Sequence, residues 1–324
     1  MIHLNLETAI ANLKESGATR VLVQIPEGLK TRTEEIAEAL KDFEIIINMD
    51  PCFGACDLKE SEAEKLGCNA LLHIGHSAFQ KETKMNVIYA PLPYSLEDFD
   101  EIAEKLVNYL KEKKVTNVGL TTTVQFLDYL SKLKEKLAGQ GITGNTSSGN
   151  RTVAGQLLGC NYSAADVEGD LIVYFGDGLF HPLGVAFSSK KEVVIVNPFT
   201  KKISSLGEDK DKFLKQRISL IIGAKEMKKF AVLVSTKQGQ SRSKVAFEVK
   251  RKLEENGKKV IIYSADMLSP ENLLGIGAEV LVNTACPRIS LDDFKNYKQI
   301  VLNYYEIDYL FGKEFENYEI PKEF

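Results

Sequence analysis

The sequence predicts an α/β protein of three similar domains, each a small parallel sheet with flanking helices, arranged around a central pseudo-threefold site. Three observations predict it. A weak internal repeat returns with a period of roughly 100 residues, a length that suits a duplicated domain rather than a solenoid. The β-rich segments are continuous apolar runs, as expected of strands covered on both faces in a parallel sheet. Each opening run leads through a loop into apolar residues at helical spacing, the alternation that builds a parallel sheet through crossover helices.

The opening strand of each copy falls at residues 21–25, 118–122 and 231–235. A helix follows. In the first copy Ile36, Ala37, Leu40 and Phe43 share a face, and in the third Val245, Val249 and Leu253 do. A second strand is expected at 43–48 and at 260–263, whereas residues 142–150, rich in Gly, Ser and Asn, carry no placeable strand pattern. Third strands are expected at 70–74, 171–175 and 280–283, and fourth strands at 86–90, 193–197 and 300–303. Two charged amphipathic helices join the copies. Ser95 with Asp98 reads as a capping box before Phe99, Ile102, Leu106 and Leu110. The second helix, near 210–228, places Phe213, Leu214, Ile218, Ile221 and Ile222 on its apolar side. The Lys and Glu residues of both are read as solvated faces. The domain limits are 1–95, 96–204 and 205–324.

The bulk composition narrows the function classes. Of 324 residues 44% are hydrophobic and 27% charged, an ordinary globular mixture. A formal net charge of −4 gives no basic field for nucleic acid. No apolar run reaches the length of a membrane span, and the early Glu7, Lys14 and Glu15 interrupt any signal-peptide pattern, so a cytoplasmic location without membrane contact is expected. Five cysteines, an odd number in a long chain, argue against a disulfide framework.

Ligands of open α/β units collect beyond the carboxyl ends of the strands, and the unusual residues of this chain cluster there. They include Gln24-Ile25-Pro26-Glu27-Gly28, Pro51-Cys52-Phe53-Gly54-Ala55-Cys56-Asp57, Gly75-His76-Ser77, Thr123-Val124-Gln125, Gly159-Cys160, Gly176-Asp177-Gly178 with His181, Thr236 to Gln240, and Cys286-Pro287-Arg288. Singly, each cysteine reads as buried filler. Position changes that reading, because three lobes about one axis bring a thiol from each to a common centre. Three thiolates on a 4Fe–4S cluster leave one iron without a protein ligand, open to substrate. In the first lobe either Cys52 or Cys56 fits the role, and Cys68, just before a strand, reads as packing.

Taken as an ordered set, Gln24–Leu29, Pro51–Asp57, Gly75-His76-Ser77, Gly159-Cys160 and Cys286-Pro287-Arg288 resemble the archaeal diphthamide-synthesis enzyme family, the 2-(3-amino-3-carboxypropyl)histidine synthases, and the resemblance runs from about Val21 to about Tyr309. The resemblance implies three α/β domains around one 4Fe–4S cluster. Gly-Ala-Cys is the family's first ligand motif, so the ligand set it implies is Cys56, Cys160 and Cys286. It implies cleavage of S-adenosyl-L-methionine on the methionine side by a reduced cluster. The products are 5′-methylthioadenosine and a 3-amino-3-carboxypropyl radical that adds to carbon 2 of a histidine in elongation factor 2. A homodimer and a reductant protein are implied partners. All three cysteines are present, as in catalytic members, and the Cys-x3-Cys-x2-Cys cluster of conventional radical enzymes is absent. The co-substrate needs anion and adenosine contacts. Gly28, Gly239 and the Gly176-Asp177 turn allow close backbone approach. Gln24, Gln125, Gln238 and Arg288 supply side-chain donors. Each glycine also reads simply as a turn residue, and His76 and His181 equally as satisfied edge histidines.

Two rival functions use the same features. One is a quinolinate-synthase-like dehydratase, with three cysteines and an open iron acting as a Lewis acid. The other is a non-catalytic subunit that carries a cluster, or a structural zinc, and passes electrons to a partner. A plain nucleotide-binding protein with core cysteines is the blandest reading.

Overall fold

The computed structural model describes residues 4–79 and 82–324. They form two compact units, Met1–Asp98 with Thr123–Tyr129, and Phe99–Thr122 with Leu130–Phe324.

The first unit is built on β1 (Arg20–Gln24), β2 (Glu44–Asn48), β3 (Ala70–Ile74) and β4 (Asn86–Ala90), all parallel, in the order β2-β1-β3-β4. Successive side chains of a strand point to opposite faces, and here both faces are covered. Val21, Val23 and Ile25 pack with Leu13, Ile36, Leu40 and Leu72 on one side. Leu22 packs with Leu58, Ala63, Cys68 and Leu71 on the other. That double burial explains the unbroken apolar runs. It also gives Cys68 its packing role, and burial pushes its thiol pKa up. The helix after β1 spans only Thr33–Ala39. Phe43 lies past its end, donating its N–H to the Leu40 carbonyl at 2.9 Å, and reaches the same core from the turn into β2. Tyr94 stacks on Phe126 at 5.3 Å, and the Leu96 N–H donates to the Tyr129 hydroxyl at 2.7 Å.

The second unit holds two sheets. One comprises β5 (Asn117–Thr122), β6 (Thr143–Asn145), β7 (Leu171–Phe175), β8 (Val193–Asn197) and β9 (Lys202–Ser205), in the order β6-β5-β7-β8-β9. The β9 strand, which no sequence pattern announced, runs antiparallel to β8. The strand missing from the second repeat is β6, only three residues long. A β-carbon on its Gly144 would lie 2.9 Å from Leu120 Cδ1, so the neighbouring leucine fills the space an apolar strand residue would take. The other sheet comprises β10 (Lys229–Ser235), β11 (Lys259–Ala265), β12 (Val280–Asn283) and β13 (Ile300–Asn303), all parallel, in the order β11-β10-β12-β13. All three sheets therefore repeat one order: second strand, first, third, fourth.

The expected boundary near residue 204 divides a continuous core. Ile172, Tyr174, Val193 and Ile195 of one sheet share a single buried cluster with Phe230, Val232, Val280, Val282 and Leu302 of the other. The helix Gly207–Lys225 packs into this core on a stripe that differs from the expected one. Phe213, Arg217, Ile221 and Ala224 are buried, whereas Ile222 is 52% exposed. Arg217 is four residues from both Phe213 and Ile221 and so falls on the core stripe. Its charge is matched there by Glu306: Arg217 Nε donates to Glu306 Oε1 at 2.9 Å, and a second nitrogen donates to Oε2. Arg217 also donates to the carbonyls of Ser290 (2.7 Å) and Val301 (2.9 Å).

Candidate metal centre

In the first unit, Cys56 lies on the loop leaving β2. The Asp57 N–H donates to the Gly54 carbonyl at 3.2 Å, closing a tight turn, and a β-carbon on Gly54 would lie 3.4 Å from Cys56 Sγ. Ala55 and Asp57 are buried to either side, so Cys56, partly exposed, is the outward member of an anchored segment. Gln24, at the end of β1 and wholly buried, is the anchor. Its Nε2 donates to the Asp57 carbonyl at 2.6 Å, and its Oε1 accepts from the Lys59 N–H at 3.4 Å. Gln24 was expected among the co-substrate donors, but its amide faces inward and positions the Cys56 loop instead. Asp57 and Lys59 also form a buried ion pair at 3.5 Å.

Cys52, four residues before Cys56, is only 2% exposed. It faces two histidines. One ligand atom from each of Cys52, His73 and His76 lies within 4.8 Å of the other two. His73 is wholly buried within β3 and makes contacts of 3.2 Å from Nδ1 to Gln24 Oε1 and 3.0 Å from Nε2 to His76 Nδ1. Gly75, at φ +92°, turns the chain after β3 and returns His76 to His73. Burial holds both imidazoles neutral, His73 at a pKa of about 3, helped by the neighbouring His76, and His76 at about 4.

In the second unit, Cys160 is at the tip of a two-residue turn. Leu158 and Asn161 exchange backbone hydrogen bonds at 3.0 and 3.1 Å, leaving Gly159-Cys160 as the bend. The chain end braces it: Phe324 N–H donates to the Cys160 carbonyl at 3.0 Å and Tyr162 N–H to the Lys322 carbonyl at 2.7 Å. Cys286 follows β12. Its carbonyl accepts from Asn283 Nδ2 at 2.8 Å, while Arg242 holds the preceding Ala285 carbonyl at 2.7 Å. Both thiols act on one reporter. The Tyr162 phenol is raised well above its ordinary pKa by burial, then by Cys160 and Cys286, with Arg288 opposing. Phe180 lies against the same place. A β-carbon on Gly159 would come within 2.6 Å of its ring, which explains the glycine, and the Arg288 guanidinium sits 5.2 Å from its centroid. Cys160, Cys286 and Arg288 thus share one locality in this unit, and both thiols are partly exposed. Partly exposed sulfur donors of this kind suit a thiolate-ligated iron–sulfur group.

The other expected co-substrate residues belong to both units. Arg288, Asp177 and His181 line a cavity of about 540 Å³. Arg288 also pairs with Asp292 at 2.9 Å, and burial followed by the Arg288 charge lowers the His181 pKa to about 4. Asp177 accepts from Asn197 Nδ2 at 2.7 Å, and Gly176 is required because a β-carbon would meet the Tyr174 hydroxyl at 2.7 Å. Gln125 Nε2 donates to the Gly75 carbonyl at 3.2 Å. Gly28 lies exposed in the short helical turn Glu27–Arg32, with nothing within 4 Å of an added β-carbon. Gln238 and Gly239 lie in the turn Gln238–Gln240 beyond β10.

Sequence reasoning missed His73, Tyr162 and Phe180. The signal for His73 was available: a histidine inside a five-residue strand whose every side chain is buried, three positions before another histidine. Tyr162 and Phe180 carried no signal, since apolar bulk near a glycine is ordinary.

Residues 25–321 match the family model of diphthamide synthesis proteins. The chain belongs to the diphthamide synthesis family. Among its relatives, the 2-(3-amino-3-carboxypropyl)histidine synthase of Pyrococcus horikoshii is 34% identical, with 97% of this chain and 91% of the relative covered. The synthase of the same name from Methanocaldococcus jannaschii is 32% identical, covering 91% of this chain and 86% of that one. The crystal structure of Dph2 from Pyrococcus horikoshii with a 4Fe–4S cluster superposes at a TM-score of 0.92, with 34% identity, 99% of this chain and 94% of that one covered. Membership of the diphthamide synthesis family favours the first of the cluster-enzyme readings over the dehydratase.

Proposed function

We propose that this protein carries out the first step of diphthamide synthesis, transferring the 3-amino-3-carboxypropyl group of S-adenosyl-L-methionine to carbon 2 of a histidine in elongation factor 2. The observation that carries the reading is the match to the diphthamide synthesis family along almost the whole chain, with every cysteine of the expected ligand set in place. The ligand set proposed is Cys56, Cys160 and Cys286, one from each copy of the repeat, holding a 4Fe–4S cluster. Cys56 lies on the loop after β2, Cys160 in the turn between Leu158 and Asn161, and Cys286 after β12, and each is partly exposed on a segment whose backbone is held by hydrogen bonds.

When bound, the cluster supplies the electron that cleaves the methionine-side carbon–sulfur bond, giving 5′-methylthioadenosine. The chain's own residues supply geometry and charge. Gln24 and Asn283 fix the loops of Cys56 and Cys286 from beneath. Arg288, two residues from Cys286 and exposed, offers a cation for the methionyl carboxylate, and Phe180 holds its guanidinium by a cation–π contact. Gln125, Gln238, Gly28, Gly176, Asp177 and Gly239 are further proposed contacts. A homodimer, a separate reductant protein and a cytoplasmic setting complete the proposal. No helix among the described residues is long and apolar enough to cross a membrane.

The test is an anaerobic reaction of the reconstituted protein with dithionite, S-adenosyl-L-methionine and unmodified elongation factor 2, read by mass spectrometry. The expected products are 5′-methylthioadenosine and an aminocarboxypropyl adduct on histidine. Changing Cys56, Cys160 or Cys286 to alanine abolishes both. Formation of 5′-deoxyadenosine instead would overturn the assigned bond, and a cluster-loaded protein with no turnover would favour the electron-transfer role.

A further inference from the structure

The first unit contains a set of metal-type donors that the proposed cluster does not use. Cys52, His73 and His76 come from two segments, the loop after β2 and the end of β3, and converge within 4.8 Å. Tetrahedral zinc, with bonds of about 2.0–2.1 Å to nitrogen and 2.3 Å to sulfur, requires donor separations of ~3.3–3.7 Å. The two histidine nitrogens are already 3.0 Å apart, so closing the set takes side-chain movements of about 1 Å.

Hydrogen bonding fixes which atoms face inward. Gln24 Nε2 donates to the Asp57 carbonyl, so its Oε1 is the acceptor end, and it accepts from the Lys59 N–H. The His73 nitrogen facing Oε1 at 3.2 Å is therefore the protonated one, Nδ1–H. His73 Nε2 is left with its lone pair turned toward His76 and Cys52. Ligating histidines are held in this way, by an acceptor on the ring nitrogen away from the metal. Cys52 and His73 are buried and His76 is partly exposed, which leaves one approach from solvent for a fourth ligand.

We propose that Cys52, His73 and His76 form a second metal site, distinct from the cluster, that binds one Zn²⁺ with a solvent molecule as fourth ligand. Zinc suits a mixed set of two imidazoles and one thiolate. On binding, Cys52 loses its thiol proton to solvent. His76 Nδ1 gives up the hydrogen it shares with His73 Nε2 and carries its proton on Nε2, so one proton is released per metal and no oxidant is needed. The bound ion ties the end of β3 to the loop that presents Cys56 four residues later.

The site is tested with Co²⁺ as a spectroscopic probe for zinc, in the full chain carrying Cys56→Ala, Cys160→Ala and Cys286→Ala so that the cluster ligands contribute nothing. One equivalent of Co²⁺ is expected, with a thiolate-to-cobalt charge-transfer band and the intense visible bands of tetrahedral coordination, both displaced by Zn²⁺. Adding Cys52→Ser removes the charge-transfer band, and adding His76→Ala weakens binding at least tenfold. Absence of the band, or its survival without Cys52, overturns the proposal. Circular dichroism of each variant identifies any loss of fold. As a second measurement, Cys52→Ser in the otherwise unaltered protein is reconstituted anaerobically and assayed for iron and sulfide. A full 4Fe–4S complement is expected. Loss of the cluster would assign Cys52 to it and end the two-site reading, whereas an inactive protein that still binds one Zn²⁺ at Cys52 would sink only the proposed transferase function.

Discussion

Glu101 shows how a surface residue acquires a measurable role. Its carboxylate accepts from Lys105 at 2.7 Å, one turn along the same helix, and from Lys201 at 2.7 Å, in the turn between β8 and β9. These two bonds, Lys105 first, hold its pKa down at about 2. A carboxyl group with a lower pKa folded than unfolded contributes stability above its unfolded value, and that contribution is lost as pH falls. The loss should occur between an unfolded pKa of about 4.3 and the folded value of about 2. Urea unfolding across that window is expected to show a pH-dependent component that Glu101→Gln removes; an identical slope in the variant would mean that solvent screens both contacts. At this scale the residues were unevenly legible from the sequence. The thiol positions were legible because cysteines beside strand ends are unusual. Gln24 was legible as important but not in its direction, since nothing in Gln-Ile-Pro says that the amide turns inward to Asp57.

Among the elements, the helix Gly207–Lys225 carries a wholly buried charge, Arg217. Removing Arg217 leaves the buried Glu306 carboxyl without its guanidinium partner, and breaking such a pair typically costs about 3–5 kcal/mol. Arg217→Met should therefore destabilise the second unit by that order in denaturant titrations. The double change with Glu306→Leu should recover only part of the loss: it removes the unpartnered carboxyl but leaves the Ser290 and Val301 carbonyls, the Asn303 N–H and the Tyr318 hydroxyl without their partners. A single variant as stable as the parent would show that water reaches Glu306. The network continues outward. Glu306 accepts from the Asn303 N–H at 2.7 Å, Asn303 Oδ1 accepts from Asn283 Nδ2 at 3.2 Å, and Asn283 also donates to the Cys286 carbonyl. Elements were read correctly from sequence where burial is uniform, as in β3, β7 and β12. They were misread where one residue breaks the pattern. Arg217 hid the true stripe of its helix, and Gly144 hid β6, because a side chain from a neighbouring strand supplies the apolar bulk that normally marks a strand.

For the whole molecule, the repeat and the packing divide the chain differently. Three sheets share one strand order, yet the second and third are buried in one continuous cluster. Cooperative unfolding follows shared core rather than repeat number. Scanning calorimetry of the cluster-free protein is expected to show two transitions, with the second and third sheets melting together and the first alone. Three transitions would contradict the single core. The threefold repeat was legible from strand spacing alone, whereas the fusion of two copies was not. It depends on which faces meet, and Phe230 or Val193 would read identically as core in a separate domain.

The short run Thr123–Tyr129 belongs with Met1–Asp98, although the strand just before it, β5, lies inside another sheet between β6 and β7. The ribosome therefore releases most of the first unit well before the piece that completes it. At about 5–20 residues per second, that interval is on the order of seconds, during which Tyr94 and Leu96 wait for Phe126 and Tyr129. A nascent chain stalled just past Asp98 would be open to proteases at that edge. Any attempt to express the amino-terminal lobe separately would have to graft this seven-residue stitch back on.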